Sequence, residues 1–165
     1  MNLERTFFVT TVTWKRTPIF RQHASAQLMV DVLKHYAEQG KFVLHEFVIM
    51  PDHLHLLLTP AKDISLERAL QLIKGGFSYR LGKKHGPVWQ ESFSNHHVRD
   101  EGDYLRHAEY IRLNPARAQI VETVELYPYS SSARRWREHG RPSAALDKKQ
   151  IPRLRRTIRF TNRST

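Results

Sequence analysis

Lys41–Thr59 reads KFVLHEFVIMPDHLHLLLT, two runs of β-branched, aromatic and leucine residues that meet at Pro51-Asp52. Runs of this kind split by two turn-forming residues predict a tight antiparallel hairpin. In the second arm the strand period of two sends Leu54, Leu56 and Leu58 to one face and His53 and His55 to the other. The hairpin therefore has one face made for a core and one that carries two imidazoles side by side.

Working outward, Ser25–Gln39 spaces Leu28, Val32, Leu33 and Tyr36 as a helix that ends at Gly40, and Thr6–Trp14 before it reads as a strand. On the other side, Ser65–Leu81 places Leu66, Ala69, Leu70, Ile73 and Phe77 at helical spacing. Gly86-Pro87 breaks the chain before a fourth strand within Val88–Arg99, and Glu101–Leu113 gives a last helix stopped by Asn114-Pro115. The order βαββαβ plus a helix predicts an α+β domain of the ferredoxin-like kind, an antiparallel sheet with two helices on one face and an added C-terminal helix.

The chain has 165 residues, 40% of them hydrophobic, which suits one domain with a real core. No apolar run approaches the roughly 20 residues of a membrane span, and the N-terminus lacks a secretory layout, so a soluble, cytoplasmic protein is expected. The absence of cysteine excludes disulfides, thiolate nucleophiles and Cys-based zinc sites, leaving His, carboxylates and amides as metal ligands. Of the +11 net charge, +9 falls in Arg134–Thr165, where 11 Lys/Arg face only Glu138 and Asp147. A domain over 1–130 followed by a basic, Arg-rich tail over 131–165 is expected, the tail being either a polyanion footprint or a solvated segment.

His53 and His55 can be the polar face of a half-buried sheet or half of a metal site. Imidazoles suit divalent transition metals, and Mg²⁺ or Mn²⁺ bound to a phosphate needs few protein ligands, since water and phosphate oxygens complete the shell. Tyr110 and Asn114, four residues apart, lie on one helix face a turn from each other. They can be a core aromatic and a helix stop, or a hydroxyl nucleophile beside an amide oxygen ligand. Tyr104, Tyr127 and Tyr129 have no Asn or Gln four residues on and rank below Tyr110. Lys74, Arg80, Lys83 and Lys84, with Arg134, Arg135, Arg137, Arg153, Arg155, Arg156 and Arg159, are either solvated surface charges or candidate contacts to a phosphate backbone, and Trp136 among the arginines is a candidate base-stacking ring.

Three segments, VIMPDHLHLL at 48–57, WQESF at 89–93 and YIRLNPARA at 110–118, carry a family resemblance in order and spacing. The chain resembles the REP-associated tyrosine transposases, relatives of the small insertion-sequence transposases of the single-tyrosine HUH type, from about Phe7 to Val121. The resemblance implies that His53, His55 and Asn114 hold Mg²⁺ or Mn²⁺ and that Tyr110 attacks single-stranded DNA beside a hairpin. It implies a 5′-phosphotyrosine that a second 3′-hydroxyl can resolve, in a monomer or homodimer. Trp89, Gln90 and Phe93 match the family's WQ-x-x-F segment, and His96 matches a histidine just after it. Glu91 stands where a basic residue is common and Arg112 where a histidine is common. Two other readings remain: a non-catalytic DNA- or RNA-hairpin binder derived from such a transposase, and another HUH class such as a replication initiator or relaxase.

Overall fold

The computed structural model describes residues 3–139. Four strands, β1 (Phe7–Val12), β2 (Phe42–Met50), β3 (His53–Pro60) and β4 (Ser94–His97), form one antiparallel sheet in the order β2-β3-β1-β4. Helices α1 (His23–Glu38) and α2 (Leu66–Leu81) connect β1 to β2 and β3 to β4, and α3 (Glu101–Arg117) follows β4. The expected ferredoxin-like order is what the sheet shows.

The hairpin closes as its sequence demands, with Met50 opposite His53, Val48 opposite His55 and Pro51-Asp52 as the two-residue turn. Leu54, Leu56 and Leu58 are fully buried with Phe47, Ile49 and Val9 beneath α1 and α2, whose Met29, Leu33, Leu70, Ile73 and Phe77 complete that core. Burying one such side chain is worth about 1.5–3 kcal/mol, so this face fixes the register, and a slip of one residue would turn the leucines out and the histidines in. The opposite face is covered by α3, where Val48, Met50 and Leu57 meet Ala108 and Ile111. A bulge between Leu44 and Glu46 shifts the β2–β3 register by one residue.

The last helix is longer than its sequence implies. Asn114-Pro115 does not stop it; α3 runs on to Arg117 with Pro115 buried inside it, and the Asn114 carbonyl accepts the Ala118 N–H at 2.9 Å. Proline removes one helical donor, but the turn beyond it still closes. The helix starts at Asp100, whose side chain accepts the Asp103 N–H at 2.8 Å, with Glu101 and Asp103 in the first turn where the helix dipole favours negative charge. The fourth strand is shorter than expected, Ser94–His97, because Trp89 turns inward against Phe20 and Phe77, leaving a single bridge to Thr13.

The expected boundary at 130/131 falls inside a packed stretch. Tyr129–Ser131 runs along β2, with Ile49 N–H bonded to Tyr129 O at 2.8 Å and Ser131 N–H to Phe47 O at 3.0 Å, and Tyr127 donates its hydroxyl to Ile49 O at 2.5 Å. A short helix, α4 (Arg134–His139), then lays Trp136 edge-on against Phe47, ring centroids 4.8 Å apart. The rest of the basic tail, including Arg153, Arg155, Arg156 and Arg159, lies outside the described residues. Among the described residues no helix is long and apolar enough to cross a membrane.

Candidate active site

The sheet register brings His53 and His55 to the face beneath α3, ring centroids 4.8 Å apart. Each is oriented through its Nδ1. His53 Nδ1 lies 2.6 Å from Asp52 Oδ1, and because an ionised carboxylate only accepts, that nitrogen carries the proton and Nε2 is the nitrogen left to face a ligand. His55 Nδ1 lies 2.8 Å from the Thr10 hydroxyl on β1, which leaves Nε2 as the nitrogen this ring can offer. A carboxylate or hydroxyl behind an imidazole is the arrangement that fixes a metal-ligating ring.

The opposing wall is α3. Asp103, His107, Tyr110 and Asn114 recur at spacings of four, three and four, so they share one helix face. Tyr110 packs its ring at 72° to His55 with centroids 5.2 Å apart, and Phe8 touches His55, His107 and Tyr110 in turn. Tyr110 is 41% exposed, so the phenol is both held and reachable. The structure thus brings His53, His55 and Tyr110 together and sets Asn114 one helical turn beyond the tyrosine.

Asp103 anchors the start of this helix. Its buried carboxylate accepts from His96 Nε2 at 2.7 Å and Arg99 N–H at 3.0 Å on one oxygen, and from Arg106 at 3.2 Å on the other, with His107 Nδ1 3.3 Å away. Burial alone would raise its pKa, yet these hydrogen bonds and the facing imidazoles hold it well below the usual carboxylate range. His96, Asp103 and His107 are close enough to share a metal ion. Arg99 and Arg106 already bring positive charge to the same carboxylate, which favours a clamp between β4 and α3 over a second cation there.

Burial, with the neighbouring His53 adding to it, pushes the His55 pKa down to about 4. The imidazole is then neutral at pH 7, the form that can ligate a metal. Asp52 sits below its ordinary value although burial works against it, because the bond and charge of His53, and then those of Arg16 at 3.3 Å, stabilise the carboxylate. Glu46 of β2 accepts the Ser131 hydroxyl at 2.5 Å and lies 3.9 Å from Arg112 of α3, so Arg112 ties the tyrosine helix to β2.

The candidate DNA contacts fare differently. Lys74 turns its ammonium into the 89–93 segment, bonded to the Gln90 carbonyl at 2.7 Å, and Trp89 donates back to the Lys74 carbonyl at 3.1 Å. Trp136 uses its ring in the core rather than as a free stacking platform, because Phe47 offers it an apolar partner. Arg135 reaches Gln27 at 2.7 Å and the Pro128 carbonyl at 3.1 Å. Arg80, Lys83 and Lys84 lie at the end of α2 and in the loop after it, and Arg134 and Arg137 are exposed on α4. Asp52, Thr10, Phe8, Asp103 and His107 were not singled out from sequence. The last two were findable, since they continue the Tyr110–Asn114 face back toward the helix start.

Comparison with known proteins places this architecture among DNA transposases. The chain belongs to the IS200-like transposase family, whose model matches residues 6–114. It is similar to the REP-associated tyrosine transposase of Escherichia coli (strain K12), 29% identical over 138 residues that cover 79% of this chain and 82% of that protein. Among solved structures it resembles a REP-associated tyrosine transposase bound to a REP hairpin, with a TM-score of 0.66 and 25% identity over 84% of this chain and 82% of that one. A crystal structure from Deinococcus radiodurans shares the fold alone, at 21% identity and a TM-score of 0.50 over 64% of this chain and 87% of that one. The resemblance read from the three motifs is upheld.

Proposed function

We propose that this transposase is a metal-dependent endonuclease and strand-transferase for single-stranded DNA, cutting beside a hairpin with Tyr110 as nucleophile. One observation carries the reading: Tyr110 is seated against His55 at 5.2 Å, and His55 pairs with His53 at 4.8 Å. A helix-borne hydroxyl over two strand imidazoles, each fixed through Nδ1, is the donor set that cleavage by tyrosine needs. The hairpin-bound structural neighbour supports the substrate class.

The residues fit a hard divalent cation such as Mg²⁺ or Mn²⁺. His53 Nε2, neutral His55 Nε2 and the Asn114 amide oxygen would hold it. When bound, it supplies Lewis-acid stabilisation of charge on the phosphoryl oxygens. The chain's own part is positioning. Asp52 and Thr10 hold the rings, Phe8 and His55 hold the phenol, and the Asp103 and Arg112 contacts hold the helix. Tyr110 oxygen forms a bond to the scissile phosphorus while the bond to the 3′-oxygen breaks; the phenol proton is lost, and the leaving 3′-oxygen gains one. A 3′-hydroxyl from another strand reverses the step, restoring the free tyrosine and joining the new strand.

The test is a denaturing gel of the protein with Mn²⁺ or Mg²⁺ and labelled single-stranded hairpins from beside its own gene. A labelled band at protein size, absent from Tyr110→Phe, is expected. A gel shift on the same hairpins without any covalent band would overturn the catalytic reading in favour of a hairpin-binding protein.

A further inference from the structure

Between β1 and α1 the chain makes a turn that costs energy. Lys15 and Arg16 are consecutive non-glycine residues at φ 51° and 53°, in the left-handed region that side chains disfavour. The surroundings over-determine this conformation. The buried Thr13 hydroxyl lies 2.8 Å from Thr17 O and 3.0 Å from Asp52 O, the Thr17 hydroxyl donates to Trp14 O at 2.9 Å, and Trp14 N–H bonds Val88 O at 2.8 Å.

The strained turn presents three side chains to solvent. Trp14 is 40% exposed, the Lys15 ammonium lies 5.9 Å from its ring centroid, and Arg16 is largely exposed. It also sits at the candidate site: Arg16 bonds one oxygen of Asp52 at 3.3 Å while the other oxygen holds His53 at 2.6 Å. The bond to Val88 brings the end of the loop that carries Lys83 and Lys84 against the same turn. An open indole interleaved with cations is the composition that grips single strands, stacking a base and neutralising phosphates.

Accordingly we infer that the Trp14–Arg16 turn binds the single-stranded DNA segment that leads to the scissile phosphate, Trp14 by stacking and Lys15 and Arg16 through the backbone. This rests on the reading of His53 as part of the catalytic centre. Arg16 then links substrate to site, because a phosphate drawn to its guanidinium lies one carboxylate away from His53.

The experiment is fluorescence anisotropy of labelled oligothymidylate of about a dozen residues, within the usual site size, in EDTA and across a salt series. Wild type is compared with Trp14→Ala, with Lys15→Ala/Arg16→Ala, and with Lys62→Ala/Arg68→Ala, which removes the same charge at the far end of β3. The turn variants are expected to weaken binding at least tenfold, the double variant also flattening the salt slope by about 1.4, the share of two phosphates on a single strand. The far-end variant should bind within about twofold of wild type, as expected of a solvated surface pair away from the strand.

Lys15→Gly guards against misfolding, since glycine accepts φ 51° without strain. It should melt at or above wild type and still bind more weakly. Wild-type affinity in a folded Lys15→Ala/Arg16→Ala protein, or equal losses in the turn and far-end variants, would overturn the proposal. No cutting is involved, so absence of a covalent band from wild type would sink the nuclease reading while this comparison still decides the turn.

Discussion

Replacing Asp103 with Asn should loosen the tyrosine helix at its root. The carboxylate is buried and receives His96 Nε2 at 2.7 Å and Arg99 N–H at 3.0 Å on one oxygen, with Arg106 at 3.2 Å on the other. Asparagine keeps the volume and one acceptor but turns an NH₂ group toward remaining donors and removes the charge. The arginine side chains are mostly exposed, so their share is screened and small. The cost falls on the bonds from His96 and the Arg99 backbone, charge-assisted and worth about 1.5–3 kcal/mol each. A loss of about 3 kcal/mol follows for a substitution that spoils one and weakens the other. At roughly 2–4 °C per kcal/mol for a chain of this size, thermal unfolding should fall by about 6–12 °C. His96→Ala removes one of the same bonds, so the double variant should lose no more than Asp103→Asn alone. A melting shift under about 2 °C, or additive losses in the double variant, would refute the clamp.

Three further outcomes are expected. Gly75 and Gly76 should respond oppositely to alanine. A Cβ at Gly75 meets open space and gains helix propensity of about 1 kcal/mol, whereas one at Gly76 would lie 2.7 Å from the Tyr36 ring and cost about 1–3 kcal/mol, as urea midpoints would show. Burial holds His45 to a pKa of about 4, so below the unfolded value of about 6.5 the unfolded chain takes up a proton that the fold refuses. Stability should therefore drop as pH falls from about 6.5 to about 4, by about 3 kcal/mol from this group, with His55 adding a comparable share. His45→Gln should flatten that limb, and denaturation curves parallel to wild type would contradict it. Asp52→Ala should weaken Mn²⁺ affinity about 10–100-fold by calorimetry through loss of the His53 Nδ1 acceptor; unchanged affinity would exclude its orienting role.

The hairpin and the helices behind it were legible because Leu54, Leu56 and Leu58 alternate with the histidines, and one buried face fixes a register. Helix α3 was legible as a helix but not in its length, since Asn114-Pro115 normally ends one and only the packing of Pro115 carries it on. That Tyr110 and Asn114 share one face of α3 was legible from their spacing. Asp52 and Thr10 were not, because what they do depends on which atom of each imidazole faces them. The place of Trp136 was not legible, because its neighbours in sequence are arginines while its neighbour in space is Phe47. Lys15 and Arg16 left no trace, since positive φ at ordinary residues is imposed by Thr13, Thr17 and Asp52 rather than chosen by their own chemistry.

The run Tyr129–Ser131 along β2 has a meaning beyond tying down the chain. An outer strand as apolar as Phe47, Val48 and Ile49 is a template on which another molecule's strand could add, the first step toward aggregates. Here its amides and carbonyls are already spoken for, by Tyr129 O and by the Ser131 N–H and hydroxyl. At the other margin β4 is only four residues long and reads Ser-Asn-His-His, too short and too polar to recruit a neighbour. With the apolar stretch of one margin covered and the other margin short and polar, the sheet offers the strands of a neighbouring copy little to pair with.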